Sequence, residues 1–175
     1  MIRILFSCLI FMFISCSNPN EKKISSLTNE LLILEKSFNE LDLNEVTKAV
    51  EGYKSNLILV KKCVDSIENE FVINIKNYKA MKKSAPEFFN HYNLTKKNLK
   101  IEQDQLGFFK EDLVNGLINE DSIVAYITME ENNVNKIVND IHQVIDRFNF
   151  IKSTNDSLYP YIKNFAESYC QKNEK

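Results

Sequence analysis

The chain has 175 residues, and its 22 Lys and Arg face 24 Asp and Glu for a formal charge of −2, a balance that gives no basic footprint for nucleic acid. Three Gly, three Pro and no Trp argue against a β-sandwich, which spends Gly and Pro on its turns. What remains is a helical protein with the Lys, Asn, Ile and Phe content typical of an AT-rich genome.

The N-terminal stretch MIRILFSCLIFMFISCSNPN sets the location of everything after it. Arg3 forms a short positive n-region, and the apolar run from Ile4 to Ile14 is too short for a hydrocarbon core that needs about 20 helical residues. It reads as a signal-peptide h-region. The alternative is a buried N-terminal helix with two ordinary cysteines. The order of charge, apolar run and small-residue-Cys ending favours the signal.

Phe13-Ile14-Ser15-Cys16 resembles the lipobox of the bacterial lipoproteins, with Ser15 in the small position, Cys16 as acceptor and Phe13 where leucine is usual. With the composition, this ending resembles lipoproteins of Bacteroidota first and of spirochaetes second. The resemblance implies cleavage between Ser15 and Cys16, diacylglycerol on the Cys16 sulfur, and a further acyl chain such as palmitate on the new amine. Buried acyl chains gain about 0.8 kcal/mol per CH₂, and more than one is needed for a lasting anchor. Cys8 is a second candidate acceptor, but it would leave almost no h-region. By analogy with enteric lipoproteins, Ser17 is not the aspartate that retains a lipoprotein in the inner membrane, so the outer membrane is expected, with its periplasmic and surface faces both open.

Loss of residues 1–15 removes Arg3 and leaves one domain's worth of chain, long enough to bury a substantial core. Residues 16–23 are expected to be the lipidated cysteine and a polar tether, and 24–175 a single domain. A first helix is expected over about 21–41, with Ile24, Leu27, Leu31, Leu34, Phe38 and Leu41 spaced three and four apart. Asp42-Leu43-Asn44-Glu45 then breaks the phase and restarts a helix in the manner of a capping box. The second helix is expected to run through Val46, Val50, Tyr53, Leu57, Val60, Val64, Ile67, Phe71 and Tyr78 to about residue 82, roughly 55 Å at 1.5 Å per residue.

Ser84-Ala85-Pro86-Glu87 offers a cap, a first-turn proline and a returning glutamate, and so predicts a third helix. That helix carries Phe88, Tyr92, Leu99, Leu106, Phe109 and Leu113 before the stop at Asn115-Gly116. Asn119-Glu120-Asp121 caps a fourth, with Ile123, Ile127, Val134, Ile137, Ile141, Val144 and Phe148 on its stripe. The phase continues through Ile151, Leu158, Ile162, Phe165 and Tyr169, yet Ser153 to Ser157 and Pro160 predict a break and a fifth helix. The expected fold is all-α, an elongated antiparallel helical bundle of four to five helices with coiled-coil-like seams.

Chemistry is sparse in the sequence. The two histidines, His91 and His142, do not follow a glutamate at the spacing of di-iron bundles. His142 and Asp146, one turn apart, fit a surface hydrogen bond better than a metal, so no metal and no cofactor are expected. Glu130-Glu131 and Glu120-Asp121 read as solvated or capping acids. The clusters Lys61-Lys62, Lys79 to Lys83 and Lys96-Lys97-Lys100 read as solvated faces rather than lipid-binding patches. Phe88, Phe89 and Tyr92 are expected to plug one end of the bundle. Cys63 and Cys170 remain after processing in a compartment that permits disulfides; two buried or half-buried thiols are favoured over a bridge, because the sequence does not place their Cα atoms. These features are the expectation of a non-enzymatic envelope lipoprotein with a membrane anchor and a protein partner. A self-associating structural spacer is the second reading, and a helical ligand carrier or small enzyme the third.

Overall fold

In a computed structural model, residues 18–66 and 69–173 are described. The expected signal peptide, with Ser15 and Cys16, lies outside them. Among the described residues the chain is all-helical: α1 (Pro19–Asn39), α2 (Leu43–Cys63), α3 (Asn69–Val114) and α4 (Glu120–Asn173). No helix among them is long and apolar enough to cross a membrane.

The starts of α1, α2 and α4 have local causes. The Asn20 amide donates to Asn18 Oδ1 at 3.0 Å, and Pro19 occupies the first turn, where its missing N–H costs nothing. Helix therefore begins inside the segment expected as a polar tether, and only the residues before Asn18 are left to serve as one. Asp42 accepts from the Asn44 amide at 2.9 Å and opens α2, and Asn119 accepts from the Asp121 amide at 3.1 Å and opens α4. Between α3 and α4, Leu117 N–H donates to Asp112 O and Gly116 N–H to Leu113 O, with Gly116 at φ +65°. This is a Schellman stop, built on the one glycine whose backbone requires the left-handed region.

Two expected boundaries are corrected. The long second helix ends at Cys63, where Val64 turns extended, and α3 runs from Asn69 straight through Ser84 and Pro86. Ser84 is a mid-helix residue whose hydroxyl donates to Met81 O at 2.7 Å. The expected stop at 153–157 and the fifth helix are likewise absent, since α4 passes unbroken through Pro160. An interior proline costs about 3 kcal/mol. Burying one large apolar side chain returns about 1.5–3 kcal/mol, and both prolines lie in helices whose buried residues continue on either side. Tyr78, Met81, Ala85, Phe88 and Tyr92 keep the three-four alternation across Pro86, and Ile151 and Ile162 flank Pro160 in the core.

Packing gives a cross-section of three helices. The α3–α4 hairpin is the spine, its 54-residue arm about 81 Å long at 1.5 Å per residue. Phe71 stacks on Phe165 at one end, Phe88 meets Phe148 in the middle, and Phe109 meets Tyr126 near the α3–α4 turn. Both α1 and α2 run parallel to α4, laid end to end along the hairpin. Lys23 pairs with Glu131 for α1, while Glu45 pairs with Lys152 at 2.6 Å and Asn56 Nδ2 donates to Tyr159 O at 2.9 Å for α2. Residues 40–42 thus break the third strand of the bundle, not the spine.

The buried residues of α3 from Tyr78 to Leu113 alternate three and four apart without interruption, the 3.5-residue repeat of a left-handed supercoil. On α2 the core positions are Val46, Ala49, Tyr53, Asn56, Val60 and Cys63. Val50, Leu57 and Val64, expected on that seam, sit half-buried on its flank. The smaller Ala49 and Asn56 take their places where α2 lies close against α4.

Candidate functional site

The feature that a membrane anchor would act through is the end of the bundle nearest the N-terminus. Because α1 runs parallel to α4, Pro19 lies toward the α3–α4 turn, and α1 does not reach the last turn of the hairpin. Lys23 is level with Glu131, 11 residues into a helix that begins at Glu120. The tip is therefore uncovered. A cleft there is lined by Phe108, Phe109, Leu117, Ile118, Tyr126 and Met129 among others. Leu117 and Val124 are each 71% exposed, Phe108 67% and Val114 61%.

A second exposed apolar feature runs up α3 from the tip. Leu94, Ile101 and Phe108 are all exposed and stand seven residues apart. Seven residues are two turns, so the three share one face and are spaced about 10 Å apart along it. This stripe lies outside the core seam of the same helix.

Behind it lies a pair of buried acids. Glu102 and Glu130, each about 5% exposed or less, occupy core positions on facing helices, Glu102 between Leu99 and Leu106 and Glu130 between Ile127 and Val134. Burial first, then the neighbouring Glu130 carboxyl, raises the Glu102 carboxyl from 4.5 to about 8, so Glu102 holds its proton at neutral pH. Glu102 Oε1, Glu130 Oε2 and Thr95 Oγ1 are buried without a hydrogen-bond partner. Reading Glu130 as solvated is corrected: continuing the three-four count through polar positions would have placed it, with Glu102 and Thr95, inside. A further polar layer sits deeper along the rod, where the Tyr78 hydroxyl donates to Asn155 Oδ1 at 3.1 Å and burial raises its pKa.

The other expected site residues are distributed as follows. Cys63 and Cys170 form a disulfide with Cα atoms 4.7 Å apart, where two thiols were favoured; it joins the C-terminal ends of α2 and α4, elements that the sequence alone does not align. Phe88 and Tyr92 are not an end-plug. They are buried at mid-length, Tyr92 stacked on Phe38 with ring centroids 4.5 Å apart, because α3 begins well before them. His91 faces Asp140 across the α3–α4 contact at 3.9 Å, and His142 lines a separate cleft with Asn29, Glu30 and Leu34. No group of three or more potential metal ligands occurs among the described residues. Lys100 pairs with Asp104 at 2.8 Å on the surface.

No family model matches the chain, and no curated protein or solved structure matches it.

Proposed function

We propose that the protein is a lipoprotein of the bacterial cell envelope, anchored through Cys16, that works as a non-enzymatic protein-binding module. The observation that carries the binding reading is the heptad stripe of Leu94, Ile101 and Phe108 on the solvent face of α3. Three large apolar side chains on one line match what an amphipathic partner helix buries, and they cost the monomer nothing in packing. The anchor reading rests on the Arg3, apolar-run, Ser15-Cys16 order in the sequence. Together they support the reading of a binding face on a rod fixed to a membrane, with the outer membrane favoured by the Ser17 analogy.

The test is crosslinking and affinity capture of the full-length protein from its native membrane, alongside Cys16→Ala and Ile101→Glu forms. Cys16→Ala is expected to lose palmitate labelling and membrane retention. Ile101→Glu, with membrane retention unchanged, is expected to lose one enriched partner. Recovery of the protein alone, with Ile101→Glu abolishing that self-capture, would support the second reading, a self-associating envelope spacer whose seam is the same stripe.

A further inference from the structure

We propose that the tip of the α3–α4 hairpin is a membrane-contact surface that seats in the bilayer interface beside the lipid on Cys16. The inference rests on the anchored reading and adds to it how the rod meets the membrane. Lys23 is level with Glu131. Counting back at about 1.5 Å per residue, the start of α4 lies about 16 Å below that level and Pro19 about 6 Å below it. The N-terminus of α1 is thus only about 10 Å above the tip. Only Ser17 and Asn18 separate Cys16 from Pro19, so the two Cα atoms are at most about 10 Å apart in extended chain.

The acceptor sulfur can therefore reach the level of the tip but hardly beyond it. With acyl chains inserted from Cys16, an upright rod cannot stand clear of the headgroups; its end is pressed into them. The side chains at that end suit this position. Val114, Leu117 and Val124 are all more than half exposed, and Leu117 lines the cleft with Phe108, Tyr126 and Met129. Aromatic and aliphatic groups of this kind partition into the interface. The acids around them, Glu111, Asp112, Glu120 and Asp121, outnumber Lys110, so the contact is apolar and fits zwitterionic headgroups rather than anionic ones.

The chain has no tryptophan, so one introduced indole reports its own depth. Full-length lipidated Leu117→Trp and Ile73→Trp would each be reconstituted into zwitterionic phospholipid vesicles carrying bromine on the acyl chains. Ile73 is exposed near the opposite end of α3, about 60 Å from the tip at 1.5 Å per residue. The expected result is a blue-shifted Leu117→Trp emission quenched several-fold more strongly than that of Ile73→Trp. Equal, weak quenching of both on vesicle-bound protein would overturn the tip contact and leave the anchor standing. Strong quenching of both would overturn it too, since the rod would then lie flat. A blue-shifted, concentration-dependent but unquenched Leu117→Trp would overturn it by assigning the tip to a second copy of the chain. Failure of the protein to stay with the vesicles at all would overturn the anchored reading and the tip contact together.

Discussion

Gly52 lies so close to Tyr159 that a Cβ on the glycine would stand 2.9 Å from ring Cδ2 and 3.2 Å from Cε2. α2 lies close against α4 here, next to the Asn56 bond to the Tyr159 carbonyl. Alanine normally gains about 1 kcal/mol over glycine inside a helix, but here that gain meets a clash with a packed ring. Gly52→Ala is expected to lower stability by about 1 kcal/mol or more. Gly107, in α3 with nothing near its Cβ direction, is the control, and Gly107→Ala is expected to raise stability by up to about 1 kcal/mol. Urea midpoints of the two variants, measured side by side, check the opposite signs.

The Cys63–Cys170 bridge closes a separation of 107 residues. Chain entropy alone gives such a loop about 4–5 kcal/mol of stabilisation. The paired substitution of Cys63→Ala and Cys170→Ala is expected to lose about 3–5 kcal/mol in denaturant titrations. In the folded wild type, a maleimide-PEG reagent is expected to add mass at these positions only after reduction. Labelling of both without reductant would show two thiols instead.

The Glu102–Glu130 pair sets a pH dependence whose sign follows from its raised pKa. The unfolded chain releases the Glu102 proton near 4.5, whereas the folded chain holds it to about 8. Stability is therefore full below 4.5, falls as pH rises between those values, and is lowest above 8. Glu102→Gln, which keeps a donor for Glu130, is expected to flatten this slope and to be the more stable protein at pH 8, with little difference at pH 4. Urea midpoints across pH 4 to 9 read it directly.

Pro86 removes one backbone donor from the interior of α3 and lines a shallow cleft with Val50 and Phe89. Pro86→Ala restores the amide and loses some apolar contact. A net rise of about 1–2 kcal/mol is expected, read as a higher melting temperature with unchanged helix content by circular dichroism. A fall would show that the ring's packing outweighs the missing hydrogen bond.

The helical class, the caps at Asp42 and Asn119 and the stop at Asn115-Gly116 were legible because each depends on local chemistry. The seams of α3 and α4 were legible because Leu, Ile and Phe mark them at helical spacing. Boundaries at Ser84 and Ser157 were misread for the same reason: both carry good cap chemistry, and only burial on either side of Pro86 and Pro160, a tertiary effect, carries the helix through. The buried acids escaped notice because an apolar count skips polar residues. Glu102 nevertheless keeps the three-four phase between Leu99 and Leu106, and a count of positions rather than hydrophobicity would have found it. The disulfide could not be read at all, since it depends on α2 running parallel to α4.

The end-to-end placement of α1 and α2 has a mechanical consequence. For a chain held by Cys16, a pull from the membrane enters through α1 alone and loads its 21-residue contact with α3 and α4 in shear. If α1 slides free, the slack is the chain from Asn18 to Asp42, about 85 Å when fully extended. The load then passes to the packing of α2 on α4, and the covalent link at their far ends sets the final stop at Cys63. The broken strand makes one half of the rod a releasable leash and leaves the other half as its fixed stop.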